Sequence, residues 1–344
     1  MSLAILGTGW VTPLGRDLAT VAAAIRSGAT PLVQRIENPH SHREHPAFTV
    51  DHALLADSEK LRRLRRSSTI SHLGVTAALD ALADAGFDST PPDRTALLFA
   101  ASDGGVIYTR RFFAEIADRG TQAGSPLLFP ETVYNAPASH IAATLGITGT
   151  SSTLVGDAIA GVSAVATAAD LLATHQCDLA VVVAAEEVDW IICEAYGFWK
   201  MATRTDRLTP FANTGTIFAE GAAALVLARD GGARLDLGPT RVYRDQPSAR
   251  STLADLVADS HPDQIVASAN GTRLDEIEAS TFRSLFPNVP VLAPKASLGE
   301  AFSATTLAQI ILATRQPGRT LVTTVGLNNQ LNALTVSTQT ARRA

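Results

Sequence analysis

Cysteine is scarce in this chain, with Cys177 and Cys193 the only two among 344 residues. Two thiols cannot build a disulfide framework, which points to a reducing compartment rather than a small secreted scaffold. No apolar run approaches the roughly 20 residues needed to cross a bilayer. The opening MSLAILGTGWVTPLG has neither the basic start nor the long apolar core of a signal peptide. Positive charge is also in deficit: 28 Lys and Arg face 33 Asp and Glu, a formal net charge of −5. That balance counts against non-specific nucleic-acid binding, which needs a basic surface. Aromatic residues are few, at 6%. The expectation is a soluble cytoplasmic globular protein without a membrane segment or a nucleic-acid partner.

Alanine, valine and leucine dominate the 46% hydrophobic fraction and suit helices packed tightly on a buried sheet. The length allows one large core or two fused halves. The runs LAILGTG (3–9), TALLFAAS (95–102), LAVVVAAEE (179–187) and AAALVLAR (222–229) read as strands covered on both faces. Helical patterns lie between them, as at 71–85 and 161–173. The alternation predicts an α/β fold with sheets sandwiched by helices. ARDGGAR at 228–234 is the best internal boundary, and beyond it the pattern restarts: LDLGPTRVY, DQIVASANG, NVPVLAPKASLG, TLAQIILATR, RTLVTTVGL and NALTVSTQ. Two halves are expected, residues 1–229 and a shorter 230–344.

Several local patterns carry chemistry or mimic it. KLRRLRR at 60–66 packs five basic residues into seven, and reads as a solvated helix face or as a docking face for an acidic partner. His40, His42, His45 and His52 share a polar loop, but no cysteine or paired carboxylate set with ligand spacing accompanies them. GTG at 7–9 lacks the third glycine of a dinucleotide fingerprint, Thr12 standing there, and lacks the acidic residue about 20 positions on. LVGDAIAGVSA at 154–164 looks like the turn from a buried strand into a helix, where many enzymes keep a nucleophile. It holds no cysteine, and its one hydroxyl, Ser163, lies past the turn. Cys177 and Cys193 read as packed, inert thiols, and His140 as a packed or interface histidine.

Six segments, taken in order, resemble the β-ketoacyl synthase family of the thiolase superfamily. They are ILGTGWVTPLG at the start, NAPASHIAATLGITG (135–149), TPFANTGTIFAEGAAALVLA (209–228), ASANGTRLDEIE (267–278), PKASLGE (294–300) and TTVGLNNQLNALTV (323–336). The resemblance implies a duplicated thiolase-like fold in five αβαβα layers, with dimers formed side by side. In that family a nucleophilic cysteine opens a buried helix, where helix-end N–H groups and the macrodipole favour a thiolate. Matching the family glycine to Gly161 puts Ala158 at the cysteine position; a slip of one residue would put Ile159 there. The first family histidine corresponds to Asn270 and the second to Glu300. The family lysine is matched by Lys295, and the aromatic gate is answered by Leu327. Asp157 adds a negative charge that would raise the pKa of a restored thiol. Condensation needs a thiolate to take the acyl group and two imidazoles to stabilise carbanion and oxyanion. Asparagine cannot shuttle protons near neutral pH, and glutamate would oppose a developing negative charge unless protonated.

The resemblance therefore implies a degenerate site and no cofactor or metal. It implies a chain-length-factor-type subunit paired with a catalytic ketosynthase in polyketide, polyene or fatty-acid-type elongation. Residues 129–145, with Phe129, Asn135, Pro137 and His140, form the candidate partner interface. Lys60, Arg62, Arg63, Arg65 and Arg66 form the candidate face for an acyl carrier protein. Leu327 and Ile159 are the candidate gate and pocket residues. The 230–265 region is shorter than in typical ketosynthases. Two other readings stay open: an active acyltransferase or synthase with atypical residues, and a homodimeric acyl-binding protein.

Overall fold

The four long apolar runs become neighbouring strands in a computed structural model, which describes residues 2–55, 59–62, 64–88 and 90–338, apart from the side chains of 59 and 60. They are Ser2–Val11, Thr95–Ala101, Leu179–Glu186 and Gly221–Ala228. Alternate residues face two different cores: Leu98 and Val182 enter one, Leu97 and Val181 the other. Burial on both faces is why these strands read as continuous apolar runs.

The sheet repeats itself. Its first part runs Ser151–Val155, Thr95–Ala101, Leu179–Glu186, Gly221–Ala228, Ser2–Val11, with two parallel pairings followed by two antiparallel ones. The second part runs Val291–Leu292, Gln264–Val266, Gly318–Val325, Gln330–Thr338, Ala233–Leu237, in the same sequence of parallel and antiparallel pairings. The parts join where Ser2–Ile5 pairs with Ala233–Asp236. ARDGGAR is the crossing point: the chain leaves one side of the first strand and resumes on the other. Gly232 has φ +56°, and a Cβ there would sit 1.9 Å from the carbonyl oxygen of Ile5. Only glycine fits.

Helices complete the layers. Thr69–Asp84 covers the outer face of the first part, and Gln246–Val257 with Asp275–Leu285 covers that of the second. Between the two parts lie Ala158–Ala173 and Phe302–Thr314, which touch each other and strands of both. This α/β arrangement matches the thiolase-like fold expected from the sequence. GTG at 7–9 has a packing role here. A Cβ on Gly9 would lie 2.3 Å from the carbonyl of Ala77, so the helix Thr69–Asp84 rests directly on the strand.

Some features differ from the sequence reading. The strand entering the elbow, Ser151–Val155, is not buried; it is the free edge of the sheet, and Val155 is 53% exposed. A second, small sheet forms from Gln34–Glu37, Glu44–Phe48 and Phe218–Ala219. The helix Val106–Arg119, unread in the sequence, has no buried residue. Among the described residues no helix is long and apolar enough to cross a membrane.

Candidate functional site

The elbow forms because Asp157 caps a helix that begins at Ala158. Asp157 Oδ1 accepts the N–H of Ile159 at 3.0 Å, the usual way an aspartate satisfies an orphan donor of the first turn. Ala158 is thus the first helical residue and is 4% exposed. The helix Phe302–Thr314 holds the elbow from below: Ser303 Oγ donates to the carbonyl of Asp157 at 2.9 Å, and Thr306 Oγ1 to that of Ala158 at 3.0 Å.

The same carboxylate reaches a distant segment. Asp157 Oδ2 accepts the N–H of Asn328 at 3.0 Å, beside Leu327. A Cβ on Gly326 would meet that oxygen at 2.7 Å, so the close approach needs glycine. Donors from the elbow and from the 326–329 loop are therefore answered by a negative charge belonging to the chain itself. The sequence showed Asp157 as a negative charge beside the elbow; its bond to Asn328 lies 171 residues away.

Asn270, Lys295 and Glu300 converge. Glu300 Oε2 accepts Lys295 Nζ at 2.7 Å and Asn270 Nδ2 at 2.6 Å. Its other oxygen accepts the N–H of Phe302 at 2.9 Å and Thr305 Oγ1 at 3.3 Å. Asn270 Oδ1 is taken by Thr272 Oγ1 at 2.7 Å. Backbone pairing fixes Glu300: its N–H donates to Ile217 and its carbonyl accepts from Ala219. Lys295 and Glu300 side chains are 1% and 4% exposed. The glutamate expected to oppose a developing negative charge is thus paired with Lys295 inside the protein. The arrangement is a closed hydrogen-bond network, and it offers no imidazole for proton transfer.

Aromatic rings pack next to this network. Tyr196, Phe218 and Phe302 contact one another, and Leu327 joins the same cluster. Ile159 is buried, with Cγ1 close to where a Gly326 side chain would stand. Buried carboxylates tie down the neighbouring loops: Glu186 takes the N–H groups of Ser102 and Asp103, and Glu187 that of Ile107 at 2.9 Å. Sequence inspection did not single these acids out, because their loop partners lie about 80 residues away.

Glu278 and Glu187 make stability depend on pH. Burial pushes the Glu278 carboxyl up to about 7, against hydrogen bonds from Thr323 and Ser268 that favour the charge. Burial likewise pushes Glu187 up to about 7. A carboxyl whose pKa rises on folding holds its proton more tightly in the folded state. Its contribution is full below the unfolded pKa, near 4.5, and is lost as pH climbs through 7. Each group is expected to cost about 1.4 kcal/mol of stability per pH unit across that window. Urea midpoints at about pH 5 and pH 8 measure the effect, and Glu278→Gln should flatten the dependence.

Among the remaining candidates, Cys193 packs in the same cluster as Phe218, Phe302 and Leu327. Burial pushes the Cys193 thiol up to about 12, with Asp189 adding to the rise, and burial also raises Cys177. Both stay protonated, and neither is a ready nucleophile. Ser163 sits in the second turn of the elbow helix, where its carbonyl accepts from Thr167. His140 Nε2 pairs with Glu131 Oε1 at 2.7 Å, and Glu131 also accepts the N–H of Ser68. A groove of about 490 Å³ runs beside this pair, lined in part by Arg65, Arg66, Tyr108 and Leu127. Phe129 and Asn135 are exposed, whereas Pro137 is buried within the chain and offers little surface. Arg62 is exposed; Arg63 and the Lys60 side chain lie outside the described residues. The four loop histidines separate: His42 pairs with Glu37, His45 is buried near Glu194, His40 packs edge-on to Trp190, and His52 begins a short turn.

Comparison with known proteins identifies the family and the fold. The family model for the N-terminal domain of β-ketoacyl synthases matches residues 2–233. Among curated proteins none matches. Of the solved structures, a β-ketoacyl synthase from Burkholderia phymatum is 18% identical with a TM-score of 0.84, over 97% of this chain and 98% of that one. The ishigamide ketosynthase/chain length factor is 17% identical with a TM-score of 0.83, over 98% and 99%. A ketosynthase in complex with its chain length factor from Xenorhabdus doucetiae is 16% identical with a TM-score of 0.81, over 98% of both chains. At these identities the likeness is one of fold.

Proposed function

Because this chain belongs to the β-ketoacyl synthase family, we propose that it is the non-catalytic member of a condensing pair, a chain-length-factor-type subunit working beside an active ketosynthase. The observation that carries this reading is the pairing of Asn270, Lys295 and Glu300 with one another, next to an elbow that begins with alanine. Condensation needs a nucleophile and proton-transfer groups, and each of these positions is spent on structure. The partner supplies the cysteine and histidines and takes acyl groups from an acyl carrier protein. This chain supplies a folded half, residues 1–229 joined to 230–344, and a face that shapes the shared pocket by steric exclusion. The pair acts in the cytoplasm, in polyketide, polyene or fatty-acid-type elongation.

An uncovered surface supports the partner. Ser151–Val155 is an open sheet edge, which proteins generally cover or blunt. Phe113, Leu127, Phe129, Val133 and Tyr134 are exposed on the helix Val106–Arg119 and the segment after it. Large exposed apolar patches mark interaction sites, and these side chains are the proposed contributors to one. Phe129 and Asn135 are the proposed contacts, with His140 held behind them by Glu131. Arg62, Arg65 and Arg66 remain candidates for carrier docking. Intact-mass measurement after exposure to acyl-loaded carrier protein tests the division of labour. The isolated chain should gain no acyl mass. Stoichiometric acylation would turn the reading into that of an active acyltransferase.

A further inference from the structure

A row of aromatic rings leads from the surface toward the buried network. Trp199 is 61% exposed, and its ring meets Tyr196 edge-on with centroids 5.4 Å apart. Tyr196 lies 4.8 Å from Phe218 and 5.5 Å from Phe302, and the last two are 5.8 Å apart. Phe302 is the inner end, 2% exposed, with its N–H on Glu300. Its backbone is unusual: φ is +40°, on the side that bulky residues avoid and glycine accepts. Such outliers persist only where the surroundings enforce them, and they cluster at functional sites. A large ring thus occupies a position whose backbone suits a residue with no side chain.

We propose that Phe302, with Tyr196 and Phe218, is a built-in occupant of an apolar channel to the degenerate site, filling space that would otherwise take an unbranched acyl chain. The inference rests on the family reading above. The chemistry of the lining supports the ligand class. Val188, Ile192, Cys193 and Leu327 pack with the rings, while Glu300 and Lys295 at the inner end satisfy each other. A row of apolar walls ending in a neutralised polar network suits a chain with no charge at its buried tip. It follows that this subunit's interior holds no growing chain. Any limit on length is imposed on the surface it shares with its partner.

An ordinary core cluster would lose stability on truncation and gain nothing. An occupant, once removed, leaves room for a ligand of its own shape. The test is a fluorescence titration with cis-parinaric acid, displaced by decanoic acid, on the full chain. Phe302→Gly keeps the φ and removes the ring, and should bind the probe at least about tenfold more tightly than the unaltered protein. Phe302→Leu and Tyr196→Ala should bind at intermediate strength, and they carry the test if the glycine variant fails to fold. The proposal is overturned if the unaltered protein binds as tightly as Phe302→Gly, or if folded variants bind no probe. Partner co-purification, read on the same preparations, separates the two ideas. A retained partner without probe binding removes the channel alone, and probe binding without any partner supports the channel while removing the subunit reading.

Discussion

Replacing Lys295 by methionine is expected to cost about 3–5 kcal/mol of folding free energy, read from urea denaturation. The size follows from burial. A solvent-exposed ion pair contributes at most about 1 kcal/mol, but here both side chains are almost wholly withdrawn from water. Without the ammonium group, the Glu300 carboxylate keeps hydrogen bonds from Asn270, Phe302 and Thr305 and loses the countercharge that pairs with it among the described residues. Removing both charges together should hurt far less. Lys295→Met with Glu300→Leu is expected to recover most of the loss, because a buried pair replaced by apolar groups of similar volume is often close to neutral. A single-variant cost below about 1 kcal/mol would show that the pair is screened by solvent, contrary to its burial.

Ala158→Cys should yield no condensation product. The new thiol would stand at the start of a helix, which ordinarily favours a thiolate. Here the cap residue is Asp157, whose carboxylate already accepts from Ile159 and Asn328. Its charge raises the pKa of a neighbouring thiol. No imidazole follows, since Asn270 and Glu300 hold the corresponding places and are bonded to each other. A positioned general acid or base contributes roughly 10²–10⁴-fold, and two are missing. Product assay with acyl- and malonyl-loaded carrier protein should therefore give the same background for Ala158→Cys as for the unaltered chain. Robust product from that single change, with no partner added, would defeat the degenerate-site reading.

The parts of the fold legible in the sequence were those with strong local signals. Strands buried on both faces leave long apolar runs, and the runs at 3–9, 95–102, 179–187 and 222–229 are strands. The edge strand Ser151–Val155 was misread as buried because its exposure depends on having no neighbour on one side, which no local pattern records. The small sheet escaped notice for a similar reason: Phe218–Ala219 is two residues long and pairs with Ala47 and Phe48. At the site, motif order picked out Asn270, Lys295 and Glu300 individually. Their mutual pairing needs a bond across 30 positions and a backbone bridge from Glu300 to Phe218. Phe302 had no sequence signal, because its meaning comes from a backbone angle and from rings supplied by other segments.

Native mass spectrometry of the affinity-tagged protein, gently isolated from its native cells, addresses the central claim most directly. The expected mass is that of a 1:1 complex with a ketosynthase that retains its cysteine and both histidines. A homodimer of this chain, with no such partner at any step of the isolation, would contradict the claim and favour an acyl-binding protein that works alone.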